Sequence, residues 1–136
     1  KEMVNQLKKI DPTYATIIHP TVISSKSITI GEGTIIQAGT IMTINIVIGK
    51  HVHLNIDSTV GHDTVIEDYV TINPGVHING KTTIGSSTYV GTGVVMKQEI
   101  KIGSESIIGA GAVLLENVPE KSLYAGVPAK LKRKIK

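Results

Sequence analysis

Every sixth residue from Ile18 to Leu114 is aliphatic or Met, with Ser24 the one exception in seventeen positions, and no insertion breaks the phase. Gly follows the repeated residue in seven hexads, at Gly31, Gly49, Gly61, Gly85, Gly91, Gly103 and Gly109. Four residues after it stands only Val, Ile, Thr, Ser or Ala. This period fits neither a helix, at about 3.6 residues per turn, nor a strand that alternates until a hairpin. It fits short flat strands joined by tight corners, wound as a parallel β-helix. Three hexads close one triangular coil of 18 residues, so the register predicts between five and six coils. Coils stack at the inter-strand spacing of about 4.8 Å. Ile18, Ile36, Leu54, Ile72, Val90 and Ile108 then form one inward ladder. The recurrent Gly, Asn and Asp residues suit corners that need permissive backbone geometry.

The composition agrees with that geometry. Of 136 residues, 22 are Ile, 14 Val and 14 Thr, with six Leu and no Phe or Trp. Branched side chains lose rotamer freedom in helices and suit pleated surfaces, which argues against a helical bundle. An ordinary sandwich would lean on bulky rings for core volume. A narrow triangular prism has no room for them.

There is no Cys, which excludes disulfide frameworks, thiolate nucleophiles and Cys-ligated zinc. No apolar run approaches the roughly 18 residues of a membrane-spanning helix, and no signal-peptide pattern opens the sequence, so the expected setting is cytoplasmic without membrane insertion. The net charge of +3 is unevenly placed: residues 18–119 carry five basic and eight acidic side chains, the two ends nine and three. The basic tail of Lys130, Lys132, Arg133, Lys134 and Lys136 lacks the interleaved aromatics that stack on bases, so nucleic acid is not an expected partner. Residues 1–13 read as a linker or short helix, with apolar spacing over residues 3–10 and a stop at Asp11-Pro12. Residues 14–120 read as the solenoid and residues 121–136 as a cap and basic tail. Within that last segment an irregular turn over residues 122–129 precedes a basic terminal helix.

The pattern [LIV]-G-x-x-[STAV]-x resembles the hexapeptide-repeat transferases, whose fold is a left-handed parallel β-helix. Residues 108–130 (IGAGAVLLENVPEKSLYAGVPAK) resemble the closing signature of the acetyltransferase branch. Residues 60–75 (VGHDTVIEDYVTINPG) resemble the NeuD-type sugar O- and N-acetyltransferases. The resemblance implies an all-β acyltransferase domain that corresponds to the C-terminal part of those proteins. It implies acetyl-CoA as acyl donor, a sugar or nucleotide-sugar amine or hydroxyl as acceptor, no required metal, and a homotrimer. It also implies a Rossmann-like domain ahead of the β-helix.

Acetyl transfer from a thioester needs a base to take the acceptor's proton as its lone pair attacks, and a neutral imidazole suits this near pH 7. Among His19, His51, His53, His62 and His77, the resemblance points to His62, which follows Gly61 and precedes Asp63. Asp63 would orient the ring and stabilise the imidazolium; otherwise it is a solvated corner carboxylate. By resemblance Asn55 lies near the acceptor, with a stacked corner Asn as the plain alternative. Thr71 stands where some members have a second His touching the acetyl group. Gly80 is the candidate backbone donor to the oxyanion of the tetrahedral intermediate, or simply a corner Gly. The pantetheine arm of the donor would pass Thr92 and Ala110, beside the small residues Gly109, Gly111 and Ala112. Lys130, with Lys132 and Arg133 behind it, would meet the CoA phosphates.

Two other readings compete. A γ-type carbonic anhydrase on this fold needs three imidazoles around zinc, including a pair five residues apart, and no two histidines here have that spacing. A non-catalytic hexapeptide-repeat scaffold would use the same uninterrupted prism, against which the His62-Asp63 pair stands.

Overall fold

The computed structural model describes residues 1–7, 10 and 12–136. The chain winds as a left-handed parallel β-helix of about six turns, almost free of helix. Three sheets form the faces of a triangular prism. The first face stacks Ile17–Ile18, Ile35–Ile36, His53–Leu54, Thr71–Ile72, Tyr89–Val90 and Ile107–Ile108. The second stacks Ile23–Ser24, Ile41–Met42, Thr59–Val60, His77–Ile78, Val95–Met96 and Val113–Leu114. Ile28–Ile30, Ile46–Ile48, Val65–Ile66, Thr83–Ile84 and Lys101–Ile102 make the third. Neighbouring strands are parallel, and their partners lie 18 residues apart, as in Ile36 on Leu54, Leu54 on Ile72 and Ile72 on Val90.

The second residue of almost every strand points inward. Ile36, Leu54, Ile72, Val90 and Ile108 are buried as the expected ladder, whereas Ile18 is 48 % exposed because no further coil covers it among the described residues. Ser24, the polar exception in the register, is also exposed on that open first coil. A second inward set lies four residues further on: Val52, Val70, Val76, Val94 and Ile100, with Thr34, Thr40, Ser58, Thr64, Thr82, Thr88 and Ser106. Most of these buried hydroxyls donate to a neighbouring backbone carbonyl, as Thr34 does to Gly49 at 2.9 Å and Thr88 to Gly103 at 3.1 Å. Burial is tolerable for such groups only when they are bonded.

The corners divide their work between two positions. The third residue of each corner is left-handed in fourteen successive hexads, from Gly33 to Gly111, with Asn45, His51, Asp63, Tyr69, Lys81 and Glu99 among them. For a residue with a Cβ this costs about 1–2 kcal/mol. Its N–H in turn donates to a carbonyl 19 residues earlier, as from Asp63 to Ile44 at 3.1 Å and from Lys81 to His62 at 2.7 Å. The glycines that directly follow the inward aliphatic have a different task. They let successive coils approach: a Cβ on Gly61 would lie 2.5 Å from the Gly80 nitrogen. The expected permissive corner residues are found at Gly33, Asn45, Asp57, Asp63 and Gly75, while the glycines directly after the aliphatic serve close approach instead.

At the N-terminus, Glu2–Leu7 is helical; Lys8, Lys9 and Asp11 lie outside the described residues, and with them the expected stop at Asp11-Pro12. The C-terminal end departs from expectation. Ser122–Ala125 is a strand that joins the first face, pairing Leu123 with Ile107 and Tyr124 with Ile108. After a turn over residues 126–129, Lys130–Lys134 folds back antiparallel on it. The expected terminal helix is therefore a strand. The open edge of the first face supplies a row of ready hydrogen-bond groups, which a short helix at this end would leave unpaired. Lysines and an arginine on that last edge discourage further strand addition.

Candidate active site

His62 sits in the vertex between the second and third faces, as the middle residue of the corner Gly61-His62-Asp63. Its Nδ1 is 2.8 Å from Asp63 Oδ2, and both side chains are about half exposed. Adjacent side chains meet here because Asp63 is left-handed, with φ 56°. That turn brings its carboxylate back beside the preceding ring. The carboxylate's other oxygen, Oδ1, accepts from Asn45 Nδ2 at 3.2 Å, one coil below. The bond to His62, then the bond to Asn45, and more weakly the nearby Lys81 ammonium hold the Asp63 carboxyl below the usual carboxylate range. It is therefore ionised at neutral pH and can only accept. In the neutral ring Nδ1 then carries the proton, and the lone pair is on Nε2.

Nε2 lies over Gly80, one coil above His62. A Cβ on Gly80 would lie 2.6 Å from Nε2 and 2.8 Å from both ring carbons beside it. Gly80 is buried, and it is the only glycine at the middle position of any corner in the repeat. That singularity is the sequence signal for a ring lying across the backbone. Lys81, beside it, pairs with Glu99 at 3.6 Å. Asn45, Asp63, Lys81 and Glu99 thus form a stacked polar column along this vertex. Asn45 and Lys81 were not among the sequence-based candidates; stepping by 18 from Asp63 in either direction finds them.

The other candidates stand elsewhere. Asn55 is at the vertex between the first and second faces, and its amide donates to the Ile72 carbonyl at 3.0 Å. Asn73 repeats that bond to Val90 at 2.7 Å. Thr71 is half-buried on the outer side of the first face, between His53 and Tyr89. Thr92 and Ala110 are exposed and share the vertex of Asn55, one coil apart. Their corners, Gly91-Thr92-Gly93 and Gly109-Ala110-Gly111, are narrow because a Cβ on Gly91 would lie 2.6 Å from the Ala110 nitrogen. Lys130 opens the last strand and donates to Glu116 at 3.2 Å. His62, Asp63 and Gly80 therefore come together in one chain; Asn55, Thr92 and Ala110 form a second group on another vertex. Among the described residues, no three His, Asp or Glu side chains converge to hold a metal ion, and no helix is long and apolar enough to cross a membrane.

Residues 81–116 match the bacterial transferase hexapeptide family (six repeats). The solved structures similar to the chain include a His-to-Asn mutant of perosamine N-acetyltransferase from Caulobacter crescentus in complex with CoA and GDP-perosamine. It is 26 % identical with a TM-score of 0.94, over 98 % of this chain and 63 % of that one. WeeI from Acinetobacter baumannii is 38 % identical with a TM-score of 0.92, over 96 % and 64 % of the respective chains. The acetyltransferase domain of PglB from Neisseria gonorrhoeae in complex with acetyl coenzyme A is 32 % identical with a TM-score of 0.91, over 96 % and 63 %. The chain thus spans a little under two thirds of the length of these structures. No curated protein sequence matches it.

Proposed function

We propose that this chain, a hexapeptide-repeat protein with the left-handed β-helix of sugar acetyltransferases, catalyses transfer of an acetyl group from acetyl-CoA to an amine or hydroxyl of a sugar or nucleotide sugar. The observation that carries this reading is the His62 ring, with Nδ1 engaged by Asp63 and Nε2 free above Gly80. The solved structures with CoA, acetyl-CoA and GDP-perosamine support the substrate classes.

In this mechanism Nε2 takes a proton from the acceptor nitrogen or oxygen as its lone pair attacks the thioester carbonyl carbon. The negative charge that develops on the carbonyl oxygen is stabilised by a backbone N–H, for which Gly80 is the candidate. Collapse re-forms the carbonyl, breaks the C–S bond and releases the CoA thiolate, to which the imidazolium returns the proton. No enzyme–acetyl bond forms. Asp63 stabilises the transient imidazolium without itself being protonated.

The reading extends to a cytoplasmic homotrimer. Support comes from the vertex that bears Asn55, where the middle corner residues are Pro20, Ala38, Ile56, Pro74, Thr92 and Ala110, all uncharged. At that position the other two vertices mix Lys26, His62, Glu116, Glu32, Lys50 and Asp68 with the uncharged Ile44, Gly80, Gln98, Ser86 and Ser104. A head-to-tail ring sets the first vertex of one copy beside the His62 vertex of the next, which gathers the donor residues Thr92 and Ala110 and the base into one cleft. Lys130, Lys132 and Arg133 supply positive charge for the CoA phosphates. His62→Ala should keep acetyl-CoA binding, measured by calorimetry, and lose at least about 10²-fold in turnover. Wild-type turnover by that variant would sink the assignment of the base.

A further inference from the structure

We propose that Asn45 is a positioning residue for His62 and acts through Asp63; this rests on the reading of His62 as the base. Three asparagines of this prism donate their side-chain amides, and they do so in two ways. Asn55 and Asn73 give their amides to backbone carbonyls of the next coil, at 3.0 and 2.7 Å, and so brace the stack. Asn45 gives its amide to a side chain, the Asp63 carboxylate, at 3.2 Å. Its own corner is braced without that amide, because its backbone N–H donates to Ser27 Oγ at 3.0 Å. The amide is thus spare for the frame and is used on the carboxylate.

The consequence is geometric. Rotation about the last side-chain bond of an Asp is soft and roughly two-fold. With Oδ1 held by Asn45, Oδ2 is kept in line with His62 Nδ1 at 2.8 Å. Which ring nitrogen carries the proton is set by the bond that the other makes. Asn45 therefore keeps the proton on Nδ1 and the lone pair on Nε2, although it never touches the ring or a substrate.

The test uses Asn45→Gly and Asp63→Gly, since both positions are left-handed and glycine enters them without strain. Nitrogen-15 NMR of the His62 ring reads the tautomer directly and needs no knowledge of the acceptor. The wild type should show protonated Nδ1 and bare Nε2, Asp63→Gly mostly the reverse, and Asn45→Gly a mixture of the two. A ring spectrum of Asn45→Gly identical to wild type overturns the proposal. In turnover, Asn45→Gly should lower kcat about tenfold with KM for acetyl-CoA unchanged. In the Asp63→Gly background the same change should cost less than about twofold, because the route of its effect is gone. An equal loss in both backgrounds overturns the proposal, since it would mark a role in the frame alone. Asn45→Asp, which keeps the shape but replaces the donor with a like charge, repeats the test should the glycine variant fail to fold. Full activity of His62→Ala would remove the base reading and leave the tautomer result standing.

Discussion

Gly61 and Gly80 share one vertex, one coil apart, yet a methyl group added at each would meet different things. At Gly61 it would lie 2.5 Å from the Gly80 nitrogen and 2.9 Å from the Asn79 carbonyl carbon, both backbone. At Gly80 its three nearest neighbours would all be atoms of the His62 ring, at 2.6–2.8 Å. Backbone in a stacked coil cannot yield without disturbing its neighbours, whereas an exposed ring can swing aside. Gly61→Ala should therefore lower stability by about 1–3 kcal/mol in denaturant unfolding. Gly80→Ala should leave the unfolding midpoint almost unchanged and reduce turnover at least about tenfold, because the displaced ring leaves its proper geometry. Equal losses of stability in the two variants would mark Gly80 as one more packing glycine, with no special relation to His62.

At the level of the strand and corner, the columns of buried hydroxyls offer a test with opposite signs. Thr34 Oγ1 donates to the Gly49 carbonyl at 2.9 Å and accepts from the Val52 N–H at 3.1 Å. Thr64 Oγ1, at the equivalent place in the column of the third face, is buried and finds no hydrogen-bond partner among the described residues. Valine has nearly the shape of threonine, and β-branched aliphatics already stand next in each column, Val52 above Thr34 and Ile46 below Thr64. Thr34→Val should cost about 1–3 kcal/mol, whereas Thr64→Val should be neutral or stabilising by about 1 kcal/mol. Chemical denaturation of the two variants checks both signs, and destabilisation by Thr64→Val would contradict the account. The inward columns were legible in the sequence because the repeat never slips, so each side chain's face follows from its place in the hexad. Corner chemistry was less legible. Asn55 is seven residues from His62 along the chain and on a different vertex, while Asn45 is seventeen away and bonded to the residue beside it. Linear distance misleads where the chain returns to the same place only after 18 residues. The C-terminal strand was hidden for another reason: Lys-Leu-Lys-Arg-Lys carries no decisive period, and its conformation is set by the sheet edge that Leu123 and Tyr124 present.

On the scale of the whole molecule, the prism interior is filled by aliphatic ladders, and reactive groups are confined to vertices and outer faces. One vertex carries His62, the proposed base, and another carries the narrow, small-residue corners at Thr92 and Ala110. The trimer reading makes a specific claim from this separation: each active cleft takes His62 from one copy and Ala110 from the next. Two variants then become informative together. His62→Ala removes the base, and Ala110→Trp, on an exposed corner, blocks the path assigned to the pantetheine arm; each alone should be inactive. Mixed in equal amounts, unfolded and refolded together, they assemble at random. A cleft works when an Ala110→Trp chain supplies its intact His62 and a His62→Ala chain supplies its intact Ala110. Each condition holds half the time, so about a quarter of clefts should be active. Turnover of the mixture should return to about a quarter of wild type per chain, and the same variants merely mixed as folded trimers should stay inactive until they exchange copies. If refolded mixtures show no recovery, base and donor path lie within one chain, and the head-to-tail arrangement proposed for this surface is wrong.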